Sequence, residues 1–467
     1  MRLRWRNCCR ALLIVLPPGD AFGKTGGMRT AAASFAVAFG TLLLHAESVK
    51  DREGAVRQDR AKLEHDDRWI YDNFQRGFEE AKRTGKPLLV VLRCVPCLAC
   101  MGIDAQVLLE EKEMAKLLDQ FVCVRLINAN ALDLSIFQFD YDLSFTTMFF
   151  NGDGTVYGRY GSWKHQKNSQ ESATAGYKKA LEAALGIHRG YPANKAALAT
   201  KQGLPTPFKT PTEIPSLAVR YKPELDWEGK VVGSCVHCHM IGSAYQTWYR
   251  EKREPMPEQW LHPWPEPETV GLTLASEEIA TVTAVAPGTP AASAGVLVGD
   301  EITSINGEPL VSIADLSWAL HRSSSVSSLL LDVKRGGEAK SLKMDLPAGW
   351  RRKSDVTLRA SIWPMRGMAL GGLRIEPLPQ TERQGLGLSG DDLALRVLNV
   401  GQYGMHAAAR KTGFQKDDVV IEVDGLSNAM TECQIIDHLL ETHFPGDKVK
   451  VVVLRGQARK EFQLPMQ

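Results

Sequence analysis

Apolar and polar positions divide the chain into blocks with different periods. Between about His65 and Ile187, short apolar runs alternate with charged stretches. Residues 69–83 carry apolar side chains at helical spacing and stop at Gly85, which predicts a helix. Residues 87–92 form a continuous apolar run between turn and polar signals, the pattern of a buried central strand. A helical stretch then runs to Leu118, strands are expected over 121–126 and 147–150, and Asn151-Gly152-Asp153-Gly154 reads as a hairpin turn. Its returning strand covers 155–160, and a helix over about 171–185 closes the block. From 191 to 267 prolines interrupt any period, which predicts a connector or small irregular domain. Two later blocks, 268–346 and 384–467, repeat one pattern around a spacer at 347–383. The fold class expected is a multidomain α/β plus α+β chain, its first domain spanning 65–190.

The first fifty residues read as targeting sequence. From Met28 a basic start leads into an apolar stretch from Ala31 to Leu44, then Leu44-His45-Ala46, which predicts a signal peptide cleaved after Ala46. Met28 is the expected start, residues 1–46 are the leader, and the location expected is periplasmic or otherwise extracytoplasmic. A membrane role is expected only if the leader stays uncleaved, because the apolar run is shorter than a spanning helix. Gly23-Lys24-Thr25 does not make a phosphate loop, since Pro18 stands where the first glycine is needed.

Length fits three or four domains. Lys and Arg number 56 against 54 Asp and Glu, so the chain has no basic excess with which to track a nucleic acid. Cysteine changes the picture more. Beyond the leader stand Cys94, Cys97, Cys100, Cys123, Cys235, Cys238 and Cys433, and five of the seven fall in two clusters, which indicates redox or ligand chemistry rather than a disulfide scaffold.

Cys94-Val95-Pro96-Cys97 follows the first apolar strand and precedes a helical stretch. A helix N-terminus lowers a thiol pKa, so Cys94 is expected to attack disulfides and Cys97 to resolve them, with Arg93 acting in the same direction. Cys100, one helical turn on, adds a third thiol, and Cys94, Cys97 and Cys100 together suit internal disulfide exchange or a soft metal such as Cu(I). The block resembles the thioredoxin superfamily in its strand order, in the proline between the cysteines and in the turn after the third strand. It departs from that family in having Thr146-Thr147 where a cis-proline usually faces the active cysteines.

Cys235-Val236-His237-Cys238-His239 is the complete attachment signature of c-type haem. It implies covalent haem c on Cys235 and Cys238, with His239 as iron ligand. Met256, in Glu254-Pro255-Met256-Pro257, is the expected axial partner and His262 the runner-up. Zinc or a second dithiol pair are the alternatives for this motif, and zinc or copper the alternative cofactors for the chain as a whole.

Pro287-Gly288-Thr289-Pro290-Ala291, Ala294-Gly295, Gly299-Asp300 and Ile305-Asn306-Gly307 closely resemble the bacterial PDZ pattern, with Gly271-Leu272-Thr273-Leu274 as its carboxylate-binding loop. The second block matches less cleanly, and Gly385-Leu386-Gly387-Leu388 is taken as its loop. The absence of a Gly-x-Ser-x-Gly elbow argues against a protease. As a whole the chain resembles exported thioredoxin-like/PDZ proteins of certain bacteria, some of which carry selenocysteine. The resemblance implies a thiol-disulfide oxidoreductase and electron-transfer protein, with exported proteins or peptides bearing free C-termini as PDZ partners. It names no redox partner. The other function class is a non-enzymatic PDZ scaffold whose cysteine clusters hold metal or haem.

Overall fold

In the first domain the sheet runs in the order β1-β3-β2-β4-β5, with β1 at Trp69–Tyr71, β2 at Leu88–Arg93, β3 at Val122–Leu126, β4 at Phe145–Phe150 and β5 at Val156–Tyr160. These strands come from a computed structural model that describes residues 51–97, 100–108, 111–163 and 174–467; the leader and its start at Met28 lie outside the described residues. Strands β1, β3 and β2 are parallel, and β4 and β5 are antiparallel. The apolar run at 87–92 becomes the central strand because both its faces are covered. Leu88, Val90 and Leu92 enter one core while Leu89 and Val91 enter the other, as the two-residue period of a strand requires. Helix α1 (Arg52–Leu63) precedes the sheet. Helix α2 (Phe74–Thr84) lies between β1 and β2, α3 (Met101–Leu108) and α4 (Lys112–Leu118) between β2 and β3, and α5 (Ala175–Arg189) follows β5.

Two expectations need correction here. Residues 69–71 are a strand, not the first turn of a helix; Trp69, Ile70 and Tyr71 pair with Cys123, Val124 and Arg125. The helix begins only after the left-handed Asp72, where the Asn73 side chain accepts a hydrogen bond from the Arg76 N–H. The helix that follows the Cys94–Cys97 turn, α3, starts at Met101, after the left-handed Cys100 (φ +59°).

Below β2 lies a buried ion network. Arg93 Nε is 2.9 Å from Asp104, and Arg125 is 2.8 Å from Asp104 and 2.6 Å from Asp59. Two guanidinium groups and two carboxylates balance, which makes burial of all four tolerable.

The proline-rich segment is not a separate irregular domain. Its helix α6 (Cys238–Glu251) lays Cys238, Ile241, Ala244 and Tyr245 into the same core as Leu88, Val90 and Leu92. It thus covers one face of the first sheet.

The next unit has a β6-β7 pair (Leu272–Leu274 and Val282–Val285), helix α7 (Pro290–Ser293), a sheet of order β11-β10-β8-β9 (Glu338–Leu346, Ser327–Arg335, Glu301–Ile305, Glu308–Pro309) and helix α8 (Ile313–Arg322). Helix α8 packs on the first domain, where the Arg159 N–H of β5 donates to the Asp315 carboxylate at 3.1 Å, and on the segment after it. There the Asp315 carboxylate sits 2.9 Å from Lys201 Nζ with both side chains buried, and Trp318 Nε1 donates to the Thr200 carbonyl at 3.0 Å. The spacer contributes α9 (Ile362–Leu370) and Arg359, whose guanidinium is buried between Asp140 and Asp142.

The last unit is a five-stranded sheet in sequence order: β12 (Leu373–Pro377), β13 (Leu395–Val400), β14 (Val419–Val423), β15 (Lys448–Arg455) and β16 (Ala458–Pro465). Helix α10 (Gln380–Gly385) precedes β13, α11 (Ala408–Thr412) follows it, and α12 (Glu432–Thr442) lies between β14 and β15. Its sheet therefore opens at Leu373, upstream of the boundary expected at 384.

Both β-rich units begin on a left-handed glycine. Gly271 (φ +90°) precedes β6 and its carbonyl accepts from the Ala286 N–H; Gly372 (φ +89°) precedes β12 and its carbonyl accepts from the Gly401 N–H. A Cβ on Gly372 would stand 2.1 Å from the His406 carbonyl oxygen, a backbone atom that cannot swing aside. Gly372→Ala is therefore expected to destabilise the last unit by about 2 kcal/mol or more, from left-handed strain and the clash together. Thermal unfolding checks this, and an unchanged midpoint would contradict it.

Candidate functional site

Strand β2 delivers Cys94 to the edge of the first core, where its N–H donates to the Ser144 carbonyl at 2.9 Å. The Cys97 N–H donates to the Cys94 carbonyl at 3.0 Å, closing a tight turn. Arg93 braces that turn from beneath, donating to the carbonyls of Cys94 (2.6 Å), Ser144 (3.0 Å) and Cys97 (3.1 Å). The residue facing Cys94 is thus Ser144, two positions before the Thr146-Thr147 that the sequence comparison singled out.

The second cysteine motif is held against the first by Asn130. This buried side chain donates to the carbonyls of Lys222 (2.6 Å) and Ser234 (2.8 Å) and accepts from the Val236 N–H (2.6 Å). The clamp brings Cys94, Cys235, His237 and Cys238 around one cavity of about 10 Å³. His237 Nδ1 lies 3.3 Å from Cys94 Sγ and 3.7 Å from Cys97 Sγ. Sequence reasoning missed both Asn130 and His237. The only signal for His237 was its place between the two cysteines of the second motif.

The thiols differ strongly. The hydrogen bond between the two sulfurs comes first in both shifts: it holds Cys97 down to about 4, assisted by His237 and Arg93, and with burial it raises Cys94 well above the ordinary thiol value. Cys94 is also the more buried of the two. Cys97 is thus the more exposed thiol and the one held toward the thiolate, whereas the sequence pointed to Cys94 as the attacking sulfur. The helix dipole on which that expectation relied is displaced, because α3 begins beyond Cys100. Burial pushes Cys235 and Cys238 up to about 12. Cys100 is buried beside Ser144, its thiol raised by burial, and it does not join the donor group formed by Cys94, Cys97 and His237.

Covalent haem needs both thiols and the histidine on one space large enough for a macrocycle. Here Cys235 and Cys238 face the cavity of about 10 Å³, while His239 lines a different one of about 480 Å³ with Met240, Trp363, Met405 and His406. Met256 is packed in the core of the last unit with Val356, Ile362 and Met365, and His262 Nε2 is 2.8 Å from Asp437 in the interior. Neither expected axial ligand is brought to His239. In this arrangement the residues do not fit a haem c.

Of the two expected peptide loops, Gly271-Leu272-Thr273-Leu274 lies at the start of β6. Gly385 ends α10, and Leu386, Gly387 and Leu388 follow it in the connection between β12 and β13. The position matching Gly271 is Gly372. The repeat was displaced because Gly385-Leu386-Gly387-Leu388 has the letters of such a loop without the strand after it.

Residues 69–152 match the family model for thioredoxin-like domains, and residues 268–346 match that for PDZ domains. The periplasmic pH-dependent serine endoprotease DegQ of Escherichia coli (strain K12) is 29% identical over 145 residues, which are 31% of this chain and 28% of that protein. The chain thus spans less than a third of this relative. The PDZ domain of HtrA3 bound to a phage-derived ligand is 30% identical, covering 16% of this chain and 76% of that one, with a TM-score of 0.14. The HtrA-type protease AlgW with tripeptide is 18% identical, covering 28% of this chain and 41% of that one, with a TM-score of 0.18. The described part of the chain therefore combines a thioredoxin-like domain and a PDZ domain.

Proposed function

We propose that this chain is an extracytoplasmic thiol–disulfide relay in which Cys94/Cys97 and Cys235/Cys238 exchange a disulfide within one molecule, while the PDZ domain at 268–346 holds a protein C-terminus. The observation that carries this reading is His237 Nδ1 standing within 3.7 Å of both sulfurs of the first pair, on the loop that bears the second. The Cys97 thiolate attacks a partner disulfide, breaking its S–S bond, forming a mixed disulfide and releasing one partner thiolate. Cys94 gives its proton to His237 and displaces the second partner sulfur. This leaves Cys94–Cys97 oxidised and the partner reduced by two electrons. The second pair then reduces Cys94–Cys97 by the same exchange, and an external dithiol restores it. The extracytoplasmic setting is supported by the leader read from the sequence and by the periplasmic relative.

Peptide capture is assigned to the first β-rich unit alone. In a PDZ groove an added peptide strand pairs with an edge strand beside a helix. The Ile375 N–H of β12 is already bonded to Glu432, at 3.0 Å, and Glu432 is paired with Arg366 of α9 at 2.5 Å. Met365 and Met368 of α9 share a core with Ile375 and Ile436. A peptide adding to β12 would have to displace these groups. Peptides with a free apolar C-terminus are expected to bind at β6, with affinity falling at least ~10-fold on amidation, because the loop N–H groups lose their anion. Gly372→Ala should leave this binding intact if the variant stays folded. Calorimetric titration reads both; indifference to amidation would remove the peptide role.

A further inference from the structure

We propose that the reduced Cys94, Cys97 and His237 also form a three-coordinate site for monovalent copper. Cys94 Sγ, Cys97 Sγ and a His237 ring nitrogen all lie within 4.8 Å of one another, so one ion can touch all three. Among the described residues no fourth Cys, His, Asp or Glu joins this group. A structural zinc ion calls for four ligands. Two soft thiolates and one imidazole suit monovalent copper, which favours sulfur donors. Burial of Cys94 and the bracing of both cysteine carbonyls by Arg93 hold the two sulfurs on the histidine side of the turn.

Binding at neutral pH breaks the Cys94 S–H bond and sends that proton to solvent, takes Cys97 as the thiolate it already is, and forms two Cu–S bonds and one Cu–N bond. Copper enters and stays as Cu(I), so no electrons move. The site uses the same thiols as the relay and therefore exists only when the first pair is reduced; a Cys94–Cys97 disulfide excludes the ion. Cys235 and Cys238 serve the relay but not the copper. Their replacement separates the two proposals.

The test uses the whole protein, reduced and titrated anaerobically with Cu(I) against a chromophoric Cu(I) chelator. X-ray absorption on the loaded protein gives the ligand shell. One equivalent bound, with two sulfurs and one nitrogen, is expected. Cys235→Ser with Cys238→Ser should keep that shell while abolishing internal exchange. Cys100→Ser should change nothing, and His237→Ala should lose the nitrogen and weaken binding at least ~10-fold. A shell of sulfur alone in the parent protein would overturn the site, as would loss of copper on replacing Cys235 and Cys238. Because the ligand shell is read on the unmodified protein, a poorly folded His237 variant does not rescue the proposal.

Discussion

A His237→Ala variant is expected to exchange disulfides about 100-fold more slowly than the parent chain, the lower end of what a positioned acid–base group contributes. The reason is local. Cys94 is buried with its thiol raised, so the resolving step needs a proton acceptor at its sulfur, and His237 Nδ1, at 3.3 Å, is the group in place. Stopped-flow reduction of a dithiol-cleavable fluorescent disulfide reads the rate. The same variant should still show all seven thiols beyond the leader on unfolding, which separates lost chemistry from lost cysteines. A rate within a factor of two of the parent would contradict the role of His237.

Asp104→Asn should cost about 3–5 kcal/mol of stability, the usual cost of breaking a buried ion pair from one side. Its carboxylate neutralises Arg93 and Arg125, and without it Arg125 keeps Asp59 while the buried Arg93 loses its carboxylate. Burial by itself would raise this carboxyl, but Arg125 and then Arg93 hold it down to about 2. An unfolded aspartate titrates near about 3.9. The folded value is the lower one, so the contribution is complete above about pH 4 and is lost as pH falls from there through about 2. Urea midpoints between about pH 2 and 7 should therefore converge for parent and variant at the acid end. Parallel curves would count against the pairing.

Much of the first domain could be read from the chain because its strands obey a strong local rule. An uninterrupted apolar run such as 87–92 has to be buried on both faces, and β2 is. Residues 69–71 escaped because their apolar spacing fits a helix as well as a strand, and only pairing with β3 decides between them. The proline-rich segment was misjudged for a similar reason. Its helix α6 takes its core from residues more than a hundred positions earlier, and no local period records that.

The site divides the same way. Each cysteine motif is visible as letters, and Cys94, Cys235 and Cys238 line one cavity, with Cys97 beside it against His237. What spacing could not supply was their meeting in one place, because that depends on Asn130 clamping a loop across the sheet. The haem reading followed from treating the second motif alone. The displaced second loop, Gly385 in place of Gly372, shows that a motif without its following strand misleads: Gly372 is recognised by its φ and by the bond its carbonyl makes to Gly401, neither of which is a letter.

The central claim is that the two cysteine pairs exchange inside one molecule, and disulfide mapping of a cross-pair variant tests it most directly. Cys97→Ser with Cys235→Ser leaves one thiol in each pair, Cys94 and Cys238, both on the shared cavity. After mild oxidation of dilute protein, peptide mass spectrometry should find a Cys94–Cys238 disulfide in monomers, with Cys100 still reduced. Cys94 and Cys238 both remaining as free thiols, or a haem-sized mass on the parent peptide carrying Cys235 and Cys238, would contradict the account.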